Sequence, residues 1–526
     1  MAEFIIVGSG AAGVAAALEL VRRGVKPLLL DVGFVNQAET PRVHGNLYDY
    51  RGRRDSFDLH IGPELGGLGT ALHDEPGVAK LNAPNMAFVT RDAEMLAPLQ
   101  QTRFQAVQSF AAGGLGNAWG AGLYRWVEGD LDDFPVALRE LEPYFDLLTR
   151  EIGISGQDDD LTPFFGNPAG LLPPLNLSHN ARLAHASYLA NRETLQSQGI
   201  HLGYPRVAAL STPYDGRPAC DYSNLEFWQA QPYIYTPAIT LQKLVSRGQI
   251  DYRPGVLVES WHEADDGLTI NGSDVKSGAP LHFTGQTLLL AAGAINSARI
   301  ALQSRDDHHA RLPLLENPIL QVPLIAPRSI GRKLDTHAFG LVQLNIIWRS
   351  AGHGLTLQGS LIELTAPMRA EFFGRFPLSA RGNLAAIRVL LPAMMMMQLY
   401  YPGSAQPPAE LSLSTEGLLR IVAPPHDLDR ASLAPLLGAL RTLGLWTHPA
   451  LIQQPPTGHA IHYAGTLPMR TQPGEYQCQP DGRLHGTRRV FVADSASFPT
   501  LPAKNMSFGM MANAMRIAAA ASERRP

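Results

Sequence analysis

Cysteine is nearly missing from this chain: its 526 residues contain Cys220 and Cys478 and no others. Two thiols cannot build a disulfide scaffold or a cysteine-based zinc site, and so few suit a reducing compartment. A single long-range disulfide is the alternative that two cysteines leave open. Charge is also scarce. Asp, Glu, Lys and Arg make up 17% of the residues, below the usual quarter. The net charge of −4 provides no basic stripe for nucleic acid or anionic lipid. No apolar run reaches the ~18 residues of a membrane-spanning helix; the longest contender, VLLPAMMMMQLYYP (389–402), is broken by Pro392. The opening MAEFIIVGSG lacks a basic segment ahead of an apolar one, so no secretory leader is expected and the expected location is cytoplasmic. No metal site is expected either, since Asp306-Asp307-His308-His309 reads as a solvated face at the end of a helical stretch.

What is present points to a large, loop-rich enzyme. The hydrophobic share of 45% is ample for a core, and 49 Gly with 41 Pro imply many turns and close backbone approaches. At roughly 150 residues per domain, the length suits two to four domains or one large cofactor-binding body.

The most informative stretch is FIIVGSGAAGVAAALELVRRGVKPLLLDVG (4–33). Phe4 to Val7 form a short apolar run suited to a buried parallel strand. Gly8, Gly10 and Gly13 then follow in GxGxxG spacing. The first glycine permits a tight turn, the second lets a pyrophosphate approach the backbone, and the third packs helix on strand. Residues 11–23, beginning with Ala11 and Ala12, read as a helix whose first N–H groups would face that phosphate. A second strand ends at Asp31, 18 residues after Gly13, where a carboxylate can hold ribose hydroxyls. This unit binds a dinucleotide, and by itself leaves NAD and FAD both open.

Two distant segments read as parts of the same domain. TLLLAAGAINSARIAL (287–302) is a strand, a small-residue turn containing Ala292 and Gly293, and a helix start; VFVADSASFPTLPAKN (490–505) is a strand, an Asp494-Ser495 turn and a Pro-rich loop before a last helix starting near Ser507. With AAGGLGNAWGAGLYRW (111–126), DFPVALRELEPYF (133–145) and HYAGTLPM (462–469), these pieces give the chain a specific resemblance. It resembles the glucose–methanol–choline (GMC) oxidoreductase family of FAD-dependent enzymes. Residues 150–285 and 305–455 resemble nothing assignable.

The resemblance implies an α/β fold. A Rossmann-like FAD-binding domain would be assembled from discontinuous segments, 1–150, 205–305 and 456–526. Residues 151–204 and 306–455 would form an α+β substrate domain with a mixed sheet. It implies that Gly113, Gly114, Gly116 and Asn117 lie at the flavin, and that Val258 touches adenine. Some relatives bond a histidine before the tryptophan covalently to the flavin; here Ala118 precedes Trp119, so the FAD is expected to be noncovalent. The family's catalytic pair, a histidine heading a Gly-Thr turn and a His or Asn after the last strand, falls on His462 and Asn505, 43 residues apart.

The chemistry of these residues agrees. A neutral imidazole, with an ordinary pKa near 6.5, can take a hydroxyl proton at neutral pH, and an amide can hold the substrate oxygen without competing as a base. His459 is the competing base, and an N-cap role is the alternative for Asn505. The helix start near Ser507 would favour negative charge on a reduced flavin. Tyr463 and Met506 stand where relatives often carry proline, and Lys504 is unexpected; it would contact a substrate or an anionic group, or add a cation for reaction with O₂ if turned inward. The run Met394–Met397 offers an adaptable apolar surface, for a substrate pocket or for the core. The expected activity is oxidation of an alcohol CH–OH, sugar-bearing or lipophilic, with electrons passed to a quinone, a mediator or O₂ and a dehydrogenase favoured. A non-redox isomerisation or elimination, and an electron-transfer subunit, are the alternatives.

Overall fold

The computed structural model describes residues 2–36, 81, 84–220, 232–335, 340–349, 354–364 and 378–524. Its framework is a seven-stranded sheet built from segments far apart in sequence. At its centre β1 (Ala2–Val7) pairs in parallel with β2 (Leu28–Leu30) and with β8 (Pro280–Leu290). Phe4 to Val7 are buried, as a strand covered on both faces must be. Outside β2 lies β5 (Asp251–Arg253), also parallel.

The long strand β8 changes partners along its length. Its first part carries the antiparallel pair β6 (Val256–Ala264) and β7 (Gly267–Asp274); its last residues, Leu288–Leu290, pair in parallel with β16 (Val490–Val492). The carboxyl ends of β1, β2, β8 and β16 therefore share one edge, where ligands of open α/β sheets bind. Helix α1 (Ala11–Arg22) follows β1, and the last helix, α7 (Ser507–Glu523), packs against α1 and against α2 (Leu138–Ile152). Gly509 of α7 is obligatory, because a Cβ there would stand 2.1 Å from the Trp126 indole.

A second, antiparallel sheet has the order β10 (Ile319–Ile325), β13 (Met394–Tyr400), β12 (Thr356–Glu363), β11 (Val342–Arg349), β4 (Ile200–Gly203). One face packs on α3 (His179–Ala190) and α6 (Ala434–Thr442), burying Leu320, Val322, Met395, Met397 and Leu399. The period of two sends the alternate residues to the other face. Met395 and Met397 fill one core cluster, and Met396, buried in another with Met394, Val342 and Ile362, also lines a cleft. A third sheet, β3 (Leu99–Thr102), β15 (Leu419–Val422), β14 (Ala409–Leu413), β9 (Leu312–Leu314), leads into the loop that carries Asn317. Cys220 and Cys478 form no disulfide. Among the described residues no helix is long and apolar enough to cross a membrane.

Candidate active site

A cleft of about 640 Å³ runs from the carboxyl edge of the parallel strands to the second face of the antiparallel sheet. At its first end the three glycines of the N-terminal motif divide their work. Gly8 has φ +96°, and a Cβ on it would lie 2.6 Å from the Ala291 carbonyl oxygen. A Cβ on Gly13 would lie 1.9 Å from the Gly8 oxygen, so Gly13 stands behind the turn and lets α1 pack. At Gly10 nothing lies within 4 Å, and the position opens on the cleft at the start of α1. This is the cradle a pyrophosphate needs.

Ser9 ties the second glycine turn to the first. Its hydroxyl accepts from the Gly113 N–H (3.0 Å) and donates to Asp31. Asp31 also accepts from the Tyr252 hydroxyl at 3.2 Å. Burial pushes its carboxyl up to about 7 against the pull of these two donors. Asp494, after β16, accepts from Gly293 N–H (2.8 Å), the Ser297 hydroxyl (2.5 Å) and Ala496 N–H (2.9 Å), and burial pushes it to about 6. It joins the turn after β16 to the start of α5 (Ala294–Ser304).

Ala11, Ala12, Gly114, Gly116, Val258, Ala292, Gly293, Asp494, Ser495 and Ser507 line the cleft together with Gly8, Gly10 and Asp31. Gly113 and Asn117 do not. The Asn117 amide donates to the Ala112 and Gly114 carbonyls (2.9 Å each), and Gly113 packs on the start of α4 (Pro237–Ser246), so both shape the turn from behind. Sequence reasoning missed Arg299 of α5, which lines the cleft and donates to Asn296 Oδ1 at 3.2 Å. Burial pushes its guanidinium down to about 10, with Glu259 acting the other way. The cradle at Gly10, the acid ending β2 and the capped turn after β16 fit the extended dinucleotide, FAD, that the resemblance implies.

The turn HYAGTLPM is gripped from three sides. Ala464 exchanges both backbone hydrogen bonds with Leu315 (2.9 and 3.0 Å); Gly465, Leu467 and Met469 donate to the carbonyls of Ser495, Ala496 and Ser497; and the Thr466 hydroxyl donates to the Ala294 carbonyl at 2.8 Å. Gly465 sits at φ +77°, where a Cβ would meet Leu315 at 2.7 Å. Tyr463 holds the turn through its phenol, which donates to the Gly458 carbonyl (2.8 Å) and accepts from Val107 N–H (2.9 Å). Immediately before the histidine, Ile461 has φ +58°, a sparsely populated region for a β-branched residue. Strain of this kind gathers where a side chain must be aimed.

His462 is aimed by a residue that no motif announced. Its Nδ1 lies 2.9 Å from Asn317 Oδ1. Asn317 is fully buried, and its Nδ2 donates to the carbonyls of Tyr401 (2.8 Å) and Pro502 (2.9 Å). With both amide hydrogens committed to carbonyls, the atom facing His462 is the amide oxygen. Nδ1 must then carry a proton, and in the neutral ring the lone pair is on Nε2. Tyr400 stacks on the imidazole, with centroids 5.4 Å apart and planes 21° from parallel. The competing base, His459, lines the same cleft 3.5 Å from the Gln321 amide.

Asn505 lines the cleft with His462. Its Nδ2 stands 3.5 Å from the Gly122 carbonyl, a weak contact that leaves donor capacity, and its buried Oδ1 has no hydrogen-bond partner among the described residues. Such an orphaned acceptor is unfavourable by about 1–3 kcal/mol, the signature of a group kept for another purpose. Asn505 is not the N-cap of α7: that position is Met506, without a side-chain bond. Lys504 meets an anionic group, Asp130, rather than the cleft. Its ammonium is buried, pairs with Asp130 and donates to the Phe164 carbonyl (2.6 Å), and does not line the cleft. Burial draws its pKa down despite Asp130.

Residues 448–514 match the family model described as GMC oxidoreductase. The chain carries a GMC oxidoreductase C-terminal domain. That stretch holds His462, the turn after β16 and Asn505. Among solved structures, pyridoxine 4-oxidase from Mesorbium loti is 15% identical and superposes with a TM-score of 0.59 over 100% of both chains. A formate oxidase from Aspergillus oryzae, studied for its FAD modification, is 13% identical, with a TM-score of 0.62 over 99% of this chain and 98% of its own. The GMC domain thus sits in a chain with the fold of these oxidases from end to end. No curated protein matches the sequence.

Proposed function

We propose that the protein is a flavoenzyme that oxidises the CH–OH group of an alcohol to a carbonyl, with FAD held noncovalently along the cleft. The hydrogen bond between His462 Nδ1 and Asn317 Oδ1 carries this reading. It gives His462, when neutral, a defined tautomer with Nε2 as the basic atom, in the wall of a cleft whose other end is built for a dinucleotide. FAD, when bound, supplies the hydride acceptor. The protein's own residues do the rest. His462 Nε2 takes the hydroxyl proton, Asn505 Nδ2 donates to the same oxygen and orients it, and Tyr400 keeps the imidazole from tilting. Ala118, buried against the cleft, offers no nucleophile to a flavin, in support of noncovalent binding.

The division into a discontinuous FAD domain (1–150, 205–305, 456–526) and a substrate domain (151–204, 306–455) belongs to this proposal. All five strands of the antiparallel sheet that floors the far end of the cleft fall in the second. For the electron acceptor we favour a dehydrogenase using a quinone or mediator over O₂, since the Lys504 ammonium is committed to Asp130.

Anaerobic mixing with alcohols tests the reading. A true substrate should bleach the flavin lastingly, and His462→Ala should slow that bleaching by about 10² to 10⁴ while FAD content stays at the wild-type level. An unslowed His462→Ala variant would remove His462 from the role. A converted alcohol over an unchanged flavin colour would favour a non-redox reaction.

A further inference from the structure

The sheet face that looks into the cleft carries, besides Tyr400 and its neighbour Gln358, one polar row. Across β10, β13 and β12 the register places Gln321 opposite Gln398, and Gln398 opposite Ser360. The row continues to Asn345 on β11. Neighbouring strands lie ~4.8 Å apart, so the first three positions span roughly 10 Å of the floor. Ile319, Met396 and Ile362 flank them, and all six line the cleft.

Asn345 closes the row at one end and is spent within the protein: it accepts from the Tyr124 hydroxyl (2.8 Å) and donates to Ser360 Oγ (3.1 Å). The other three keep capacity. Gln398 Oε1 accepts from the Tyr400 hydroxyl at 2.9 Å, which leaves the Nε2 hydrogens as what Gln398 can present to the cleft. Gln321 Nε2 meets His459 only at 3.5 Å, and its Oε1 takes up no hydrogen bond among the described residues. Ser360 Oγ, having accepted from Asn345, still has its own hydrogen to donate. Amides in otherwise apolar strands are unfavourable to bury unless something pairs with them. The charged side chains among the described lining residues, Asp31, Asp494 and Arg299, all stand on the turns and helix of the dinucleotide end.

We infer that Gln321, Gln398 and Ser360 form a specificity row that reads a second, uncharged polar group on the alcohol substrate, while Ile319, Met396 and Ile362 take its carbon skeleton. This rests on the alcohol-oxidising reading above. A hydroxyl fits between the two amides in both directions, accepting from Gln398 Nε2 and donating to Gln321 Oε1. A carboxylate has no proton for Gln321, an ammonium no lone pair for Gln398, and a plain hydrocarbon leaves both unpaired. Tyr400 links the row to the base, because its hydroxyl holds Gln398 while its ring stacks on His462.

The test measures anaerobic flavin reduction in the holoenzyme with paired alcohols: 1-butanol and 1,4-butanediol, cyclohexylmethanol and 4-(hydroxymethyl)cyclohexanol, benzyl and 3-hydroxybenzyl alcohol. The hydroxylated member of at least one pair is expected to win by about 30-fold or more in kcat/KM, since a site built to hydrogen-bond a hydroxyl rejects the analogue lacking it. Gln398→Met should cut that ratio about tenfold, and Gln321→Met should act in the same direction. If Gln398→Met fails to take up FAD, Gln321→Met and Ser360→Ala decide the matter. Equal rates within every pair, or a ratio unmoved in the variants, would overturn the row. Reduction by no alcohol in the panel would instead defeat the alcohol-oxidising reading beneath it.

Discussion

Replacing Asn317 by alanine separates aiming the base from being the base. In the native protein the amide oxygen accepts from His462 Nδ1–H at 2.9 Å, and the amide nitrogen is locked by the carbonyls of Tyr401 and Pro502. Without the side chain, His462 loses a hydrogen bond worth about 1–1.5 kcal/mol. At 1.36 kcal/mol per tenfold in rate, that alone slows proton abstraction about tenfold. A ring that also swings off line adds a further factor, for a total of up to about 10². The two carbonyls lose their donor as well, so stability should fall by about 2 kcal/mol. Stopped-flow flavin reduction measures the first effect and thermal melting the second. A purely structural role would pass both of these tests, so the deciding readout is the ¹⁵N spectrum of labelled histidine. Wild-type His462 should appear as the tautomer protonated at Nδ1, and Asn317→Ala should give a mixture. An Nε2-protonated ring in the wild type, or a variant reducing flavin within twofold of it, would refute the reasoning.

Other expectations are more direct. The purified protein should be yellow, and acid or heat should release all its flavin as FAD, because Ala118 offers no attachment; colour that stays with the precipitated chain would count against this. Glu316, beside Asn317, is pushed up from 4.5 to about 7 by burial, with donors Gln406 and Gly458 acting the other way. A raised folded pKa means that its contribution to stability is complete below about pH 4.5 and is lost as pH rises through about 7. Glu316→Gln cannot ionise, so relative to wild type it should gain about 2–3 kcal/mol between pH 5 and pH 8; parallel melting profiles across that range would contradict this. Enzyme reduced by substrate should react with air-saturated buffer more slowly than it turns over, because the Lys504 cation is held by Asp130. Reoxidation within the turnover time, with stoichiometric hydrogen peroxide, would reverse the choice of acceptor.

The local elements were legible in the sequence because their causes are local. Gly8, Gly10 and Gly13 are dictated by a turn, an open approach and a helix contact within a few residues of each other, and the start of α7 at Ser507 was readable from its apolar run. The interrupted strands ILQVPLI and MMMMQLY also carried a signal, a lone glutamine in each apolar run, which was passed over. Other assignments depended on what packs behind. Gly113 and Asn117 stand behind the second glycine turn while Gly114 and Gly116 of the same turn line the cleft, a division that spacing alone does not carry. Lys504 adjoins Asn505 in sequence, yet its long side chain runs to Asp130, 374 residues away, where a buried ammonium finds a carboxylate.

Most of all, the tertiary structure decided the tautomer of His462. Residues 317 and 462 are 145 apart, and nothing in LENP announces a hydrogen-bond acceptor. The strand–glycine–helix unit and the histidine turn follow from short-range geometry, which a sequence carries. The aim of the base comes from two loops brought together by β9 and β16, and from two backbone carbonyls that leave the Asn317 amide one way to face.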